Sequence, residues 1–344
     1  MSMTETVGDI GEFGLIRRIS DLLNRDGIRS DQVSVGIGDD TASFLPRPGC
    51  EILVTCDALV EGRHFLLAYT TPFDLGSRAM TVNISDIGAM GGRPVYALVS
   101  LGLKTEMLVH DVEEMYRGFL RELNPFDAAV IGGNITKSGD GMFIDITLIG
   151  EVKQGKGVRR SGARPGDVIL VTGYPGQSAA GLELLLQGPY SPELLNHQLV
   201  RIYNRPSHRA QLGEAIAETG YATAMIDTSD GFLGDLGHIC EESRVGAELI
   251  EEKIPVSEDL RQAARALGRD AYAFFLGDSD DYELVITCGS EHVDLLRSIA
   301  ARCGGVPVAE VGRITHGHGV TLLLPGGKTR SLVSSGWDHF RVKD

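Results

Sequence analysis

With 344 residues and 42% hydrophobic content the chain can bury two cores, and its formal net charge of −15 argues against a nucleic-acid partner, which would attract a basic surface. No apolar run nears the roughly 20 residues of a membrane span, and residues 1–10 lack the basic and apolar regions of a secretory signal. The five cysteines are odd in number and show no C-x-x-C spacing, which points to free thiols in the cytoplasm and away from a zinc cluster.

In chain order, Phe13, Ile16, Ile19, Leu22 and Leu23 keep helical spacing over 12–25, ended by Gly27. Residues 51–55 read as a strand running into an acidic turn at Asp57. A small-residue helix over 73–91 carries Ser85 and Asp86 on its later turns. A buried strand at 95–103 precedes an amphipathic helix at 109–123 that contains Tyr116. Residues 128–131 form a strand entering Gly132-Gly133-Asn134, and 142–152 alternate as another. The stretch 153–166 is basic, glycine-rich and poor in apolar residues, so it reads as a linker between an N-terminal domain, 1–152, and a C-terminal one, 153–344. The pattern then restarts with a strand at 168–172 and helices at 178–186 and 210–218. A helix at 232–242, opened by Asp227-Thr228-Ser229-Asp230-Gly231, is followed by a strand at 283–287 and a helix at 291–303. Strands and helices interleave without a strict βαβ rhythm, which predicts an α+β fold.

Aspartates recur along this framework beside glycine, serine or threonine: Gly38-Asp39-Asp40-Thr41, Thr55-Cys56-Asp57, Asn83-Ile84-Ser85-Asp86, the 227–231 segment and Asp278-Ser279-Asp280-Asp281. Repeated oxygen donors suit hard cations such as Mg2+, which bind through a few carboxylates plus substrate phosphates, so an ATP-using enzyme is the leading reading. Two familiar nucleotide signatures fail. Gly36-Ile37-Gly38 lacks the third glycine of a dinucleotide fingerprint, and Gly327-Lys328-Thr329 has Leu322 where a P-loop needs its first glycine, so it reads as a hairpin turn. Asp57 and Asp86 follow apolar segments where burial is expected, and a buried carboxylate needs a partner or a metal. Asp227 and Asp230 either cap a helix or present two carboxylates to one site. Arg159-Arg160 is either solvated or a phosphate clamp. On spacing alone His64 is a surface residue, and Trp337 is a packing anchor for the tail.

Taken in order, segments 11–16, 36–40, 57–65, 82–91, 160–167, 176–182 and 227–231, then Asp281-Tyr282-Glu283-Leu284 and Trp337-Asp338-His339-Phe340, resemble the thiamine-monophosphate kinases of the aminoimidazole ribonucleotide synthetase-like superfamily. The resemblance implies ATP-dependent, in-line conversion of thiamine monophosphate to thiamine diphosphate with several Mg2+ ions. It also implies a homodimer whose N-terminal halves pair into a shared β-barrel, with the nucleotide in a cleft near that interface. By position, Asp40, Thr55, Asp57, Asp86, Asp227 and Asp230 stand at magnesium-ligand positions, with Cys56 and Asn134 among them. Tyr116, Gly133, Asn134, Arg160 and Ser229 stand at ATP contacts, and His64, Asp280 and Trp337 at substrate contacts. The acceptor phosphate is already anionic, so no catalytic side chain is expected beyond positioning and charge neutralisation.

Three departures stand out. Cys56 replaces a usual Thr or Ser, Asn134 a frequent Asp, and Asp278-Ser279-Asp280 the usual Gly-Gly-Glu. Two other readings follow: a sister enzyme with another acceptor, and a nucleotide-binding relative without turnover. The selenophosphate branch is disfavoured because no cysteine precedes Cys50.

Overall fold

The computed structural model describes residues 4–28, 30–139, 141–187 and 191–333, and Trp337 lies outside the described residues. Contacts divide the chain into two units, Met1–Ile87 with Gly92–Gln154, and Gly88–Gly91 with Gly155–Asp344.

In the first unit α1 (Val7–Asp26) starts at a capping box. The Asp9 N–H donates to Thr6 Oγ1 at 3.2 Å, and the Thr6 N–H donates to Asp9 Oδ2 at 2.9 Å. A small ribbon, β1 (Val33–Val35) with β2 (Ser43–Phe44), precedes the main elements. These are β3 (Cys50–Val60), α2 (Pro72–Ala89), β4 (Arg93–Leu103), α3 (Val109–Leu123), β5 (Ala129–Lys137) and β6 (Phe143–Lys153). The sheet order is β3-β6-β4-β5, antiparallel except for the β4–β5 pair, and among the described residues it closes no barrel.

One expected turn and one segment beyond an expected strand are strand interiors. β3 does not stop at Asp57 but pairs with β6 from Cys50↔Lys153 to Val60↔Phe143, since an unbroken partner strand satisfies its backbone groups all the way. Gly132-Gly133-Asn134 likewise lies inside β5, opposite Leu98, Val99 and Ser100 of β4. Gly133, at φ 154°, comes so close to the Val99 backbone that a Cβ would collide with it.

The pleat sends Thr55, Asp57 and Leu59 to the better-covered face of β3, while Ile52, Val54, Cys56, Ala58 and Val60 alternate to the other. That second face is exposed, with Val54 at 65% and Ile52 at 42%. The glycines of α2 and α3 let the two helices approach backbone to backbone. A Cβ on Gly76 would strike the Met115 carbonyl, and one on Gly118 the Phe73 carbonyl and the Ser77 amide.

The second unit contains β7 (Val168–Thr172), α4 (Gln177–Gln187), α5 (Pro192–Leu195), α6 (Gln198–Asn204), α7 (Ala210–Thr219), β8 (Ala222–Asp227) and α8 (Phe232–Ser243). It continues with β9 (Gly246–Ile250), α9 (Glu258–Leu267), α10 (Ala271–Leu276), β10 (Leu284–Cys288), α11 (Val293–Arg302), β11 (Val308–Thr315), β12 (Gly319–Leu323) and β13 (Thr329–Leu332). Its sheet order is β13-β12-β9-β11-β7-β10-β8. Both sheet faces are covered: Ile169 and Val171 join a core with Phe232 and Leu236 of α8, while Val168 and Leu170 join one with Leu212 of α7 and Leu296 of α11. This explains why β7 reads as a continuous apolar run. The expected hairpin at Gly327-Lys328-Thr329 joins β12 to β13.

The expected linker is in part a built segment of this unit. The Val158 N–H donates to the Met90 carbonyl at 3.1 Å and the Met225 N–H to the Arg159 carbonyl at 3.0 Å. The amides of Gly162 and Ala163 donate to Ser243 Oγ at 3.0 and 3.1 Å. Hydrogen bonding to distant segments, which composition does not reveal, builds residues that read as a linker into this unit. Among the described residues no helix is long and apolar enough to cross a membrane.

Because its neighbours at Gly118 are backbone atoms that cannot swing aside, Gly118→Val should lower unfolding stability by at least ~2 kcal/mol, measured as a urea midpoint. A midpoint matching wild type would show that the α2–α3 approach is loose.

Candidate functional site

In the first unit, α2 sets polar side chains against the Thr55 and Asp57 face of β3. Thr55 Oγ1 donates to Asp86 Oδ2 at 2.5 Å. Three residues earlier on the helix, the buried Asn83 accepts the Asp57 N–H at 3.2 Å and anchors itself by donating Nδ2 to the Ala79 carbonyl at 3.1 Å. Thr55, Asp57 and Asp86 are thus gathered where the strand and helix meet. The Cys56 side chain lies on the opposite face, where Sγ donates to Asp145 Oδ1 at 3.4 Å, so its thiol is no companion to this group. Asn134 is exposed and pairs across β4 with Ser100. Asp40 sits in the exposed loop between β1 and β2, its N–H held by Asp39 Oδ1 at 2.8 Å. His64 accepts the Val60 N–H on Nδ1 at 3.0 Å, which places the proton of the neutral ring on Nε2.

Tyr116 lies on α3. It is 4% exposed, packed edge-on against Phe119, and burial raises its hydroxyl pKa.

In the second unit the 227–231 segment leaves β8 and enters α8 through Gly231, at φ 108°. A Cβ there would meet the Gly277 backbone, so glycine is required on two counts. Asp227 and Asp230 flank Thr228 and Ser229 in this turn, and α8 adds Asp235, whose Oδ2 accepts the Asp230 N–H at 3.1 Å. Oxygen or nitrogen atoms of Asp230, Asp235 and His238 all lie within 4.8 Å of one another. Asp235 is 1% exposed, and its pKa rises to about 8 through burial first and then the charges of Asp227 and Asp230, with Arg160 opposing the rise. The Arg160 charge therefore reaches this group. Carboxylate and hydroxyl oxygens predominate, so the donor set fits a hard divalent cation. Asp235 and His238 escaped sequence reading; their only signal is the i, i+3 spacing on the helix that the turn opens.

The Asp278-Ser279-Asp280-Asp281 loop closes the start of α4. Asp281 accepts the N–H groups of Gly176 at 2.6 Å and Ser178 at 2.9 Å. Ser178 Oγ donates to Asp280 Oδ1 at 2.6 Å, and the Ala179 N–H donates to Ser279 Oγ at 3.1 Å. A cavity of about 420 Å³ adjoins this loop, lined in part by Glu183, Leu233, Arg269, Phe274, Leu276 and Asp278.

With this geometry in place, comparison with known proteins is informative. The AIR synthase related protein N-terminal domain family matches residues 38–152, and the corresponding C-terminal domain family matches 164–324. A thiamine-monophosphate kinase of Bacillus subtilis (strain 168) is 32% identical, the match spanning 96% of this chain and 99% of the relative. The crystal structure of a thiamine-monophosphate kinase from Stenotrophomonas maltophilia K279a is 35% identical with a TM-score of 0.80, covering 91% of this chain and 96% of that one. The structure of AaThiL complexed with AMPPCP and TMP is 35% identical with a TM-score of 0.74, covering 98% and 100%.

The loop at α4 carries a pH signature. Burial pushes the Asp281 carboxyl up to about 6 from its ordinary 3.8, against the pull of the Ser279, Gly176 and Ser178 donors. A carboxyl with a raised folded pKa stabilises the fold fully below its unfolded pKa and loses that contribution as pH rises through the folded value. Its share should therefore fall between about pH 4 and 6 by roughly 3 kcal/mol, at ~1.36 kcal/mol per unit. Asp281→Asn should flatten this decline when urea midpoints at pH ~4 and ~7 are compared. An unaltered pH slope in the variant would mean that Asp281 ionises normally.

Proposed function

The chain belongs to the thiamine-monophosphate kinases of the AIR synthase related family, and we propose from that premise that it transfers the γ-phosphoryl group of ATP to thiamine monophosphate, yielding thiamine diphosphate and ADP. What carries this reading is likeness over nearly the whole chain to relatives of that activity, one of them complexed with AMPPCP and TMP. We assign ATP and cation binding and self-association to the N-terminal part, 1–152, and completion of the substrate and metal site to 153–344.

The acceptor phosphate brings its own anionic oxygen, so no side chain must remove a proton and no phosphoenzyme is needed. The protein's task is to align two polyanions that repel each other. Thr55, Asp57 and Asp86 would hold Mg2+ in the first unit, with Asp40, Asn134 and the Cys56 carbonyl as further oxygen donors. In the second unit Asp227 and Asp230 would do so, supported by Asp235. Bound there, Mg2+ neutralises phosphate oxygens and polarises the group in transfer. Arg160 is suited to a forked grip on nucleotide phosphate, Ser229 to donating its hydroxyl, and Gly133 to close approach of the nucleotide to the backbone. His64 offers its Nε2–H to the acceptor. Asp280, the cavity beside Asp278 and Trp337 are assigned to the acceptor's rings and phosphate.

A homodimer is part of the proposal. The exposed apolar residues Ile52, Val54 and Val60 on one face of β3 support it, as a shared barrel would bury them. The cysteine usage supports a cytoplasmic location.

The reading is tested by incubating the protein with Mg-ATP and thiamine monophosphate, with an aminoimidazole-pathway precursor as parallel acceptor. Thiamine diphosphate and ADP should form in equal amounts, whereas product from the other acceptor alone would overturn the assignment. Asp57→Asn and Asp227→Asn should each lower turnover at least ~100-fold while leaving the circular dichroism spectrum unchanged. A near-normal rate at saturating Mg2+ would remove that residue from the site.

A further inference from the structure

A part-buried ion pair in the second unit lies outside every role assigned above. Glu283, just ahead of β10, is 6% exposed. Arg209 grips both of its oxygens, Nε to Oε2 at 2.6 Å and Nη2 to Oε1 at 2.5 Å, and Thr172 at the end of β7 donates Oγ1 to Oε2 at 2.5 Å. Replacing such a pair by apolar residues is often neutral or stabilising, so its presence is poorly explained by stability alone.

The backbone of the same residue leads to the acidic turn. The Glu283 N–H donates to Thr228 Oγ1 at 3.0 Å, and the Thr228 N–H returns a bond to the Glu283 carbonyl at 2.8 Å. The Tyr282 N–H adds a third, to the Thr228 carbonyl at 2.9 Å. Tyr282 holds φ at 55°, a left-handed conformation that a bulky residue keeps only where its surroundings over-determine it. Three hydrogen bonds thus lock Thr228, the residue that follows Asp227 and precedes Ser229-Asp230. The lock is only as firm as the placement of Glu283, to which the Leu284–Asp227 pairing of β10 with β8, the Leu284 N–H bond to Thr172 Oγ1 at 2.8 Å and the side-chain grip of Arg209 and Thr172 all contribute.

We infer that Arg209 and Glu283 are positioning residues, fixing Thr228 so that Asp227 and Asp230 are held ready for a divalent cation. For its place in phosphoryl transfer this rests on the function proposed above. Its cation-binding content stands on the hydrogen-bond chain itself.

The test compares Glu283→Gln, which keeps shape but loses charge, and Arg209→Lys, which keeps charge but loses the fork. Asp227→Asn serves as the reference for a lost ligand. Mn2+ binding is followed by electron paramagnetic resonance without nucleotide, alongside thermal melting and the Mg2+ dependence of turnover. Glu283→Gln should weaken Mn2+ binding ~10-fold or more, in the direction of Asp227→Asn, and Arg209→Lys by less. The Mg2+ needed for half-maximal rate should rise by a similar factor, with most of the rate recovered at excess Mg2+ and the KM for thiamine monophosphate unchanged. Folded variants that bind Mn2+ like wild type would overturn the inference, as would a rate loss that excess Mg2+ leaves in place. Should Glu283→Gln not fold, Arg209→Lys decides by the same titration. A wild type that binds Mn2+ but makes no thiamine diphosphate would defeat the functional proposal alone, since the titrations still judge the positioning role.

Discussion

Crowded negative charge is the constraint around which the second unit is organised. Asp227, Asp230 and Asp235 stand close together with two of them almost fully buried, an arrangement that works against folding unless the backbone holds it in place. The fold answers with rigid elements on either side. β8 delivers Asp227 from a sheet covered on both faces, α8 carries Asp235 under the turn, and Gly231 allows the sharp entry that a larger residue would block. The strain is therefore local, and two packed cores outside the turn offset it. Such conflicts between stability and local arrangement are a mark of functional sites.

The first unit solves a different problem with one strand. Because side chains alternate along β3, the residues offered to α2 include Thr55 and Asp57, while those offered to the other side are largely apolar. Ligand placement and association surface are thereby separated by one pleat, and neither can shift register without spoiling the other. Bonds from Asn83 and Asp86 add a second restraint, tying the strand to the helix that covers it.

This geometry also bears on the departures from the family pattern. The Cys56 thiol points away from Asp57 and Asp86, so the change from a hydroxyl alters the opposite face of the sheet and leaves their grouping intact. The Asp278-Ser279-Asp280 replacement has a local account as well. Ser279 and Asp280 both bind the opening residues of α4, so the loop's polar side chains stabilise a helix start in addition to any contact with acceptor. The exposed Asn134 retains an oxygen donor with less charge.

Much of the architecture was legible in local sequence, because helix and strand periodicity, capping and glycine placement are properties of neighbouring residues. The helix over 109–123 and the strand over 168–172 are found as expected, and the ordered motifs were sufficient to recognise the family. Misreadings arose where a distant partner changed the meaning of a local pattern: the strand expected to end at an Asp57 turn continues along β6, and the strand expected over 128–131 continues through Gly132-Gly133-Asn134 beside β4. Arg209 and Glu283 are separated by 74 residues, and no spacing rule links them. The sequence by itself determined which residues can be helix, strand and oxygen ligand, since those are short-range properties of backbone and side chain. Which carboxylates share a turn, which side chain faces α2, and which charges neutralise each other were decided by tertiary structure alone, because they depend on chain segments brought together only by burial of the cores.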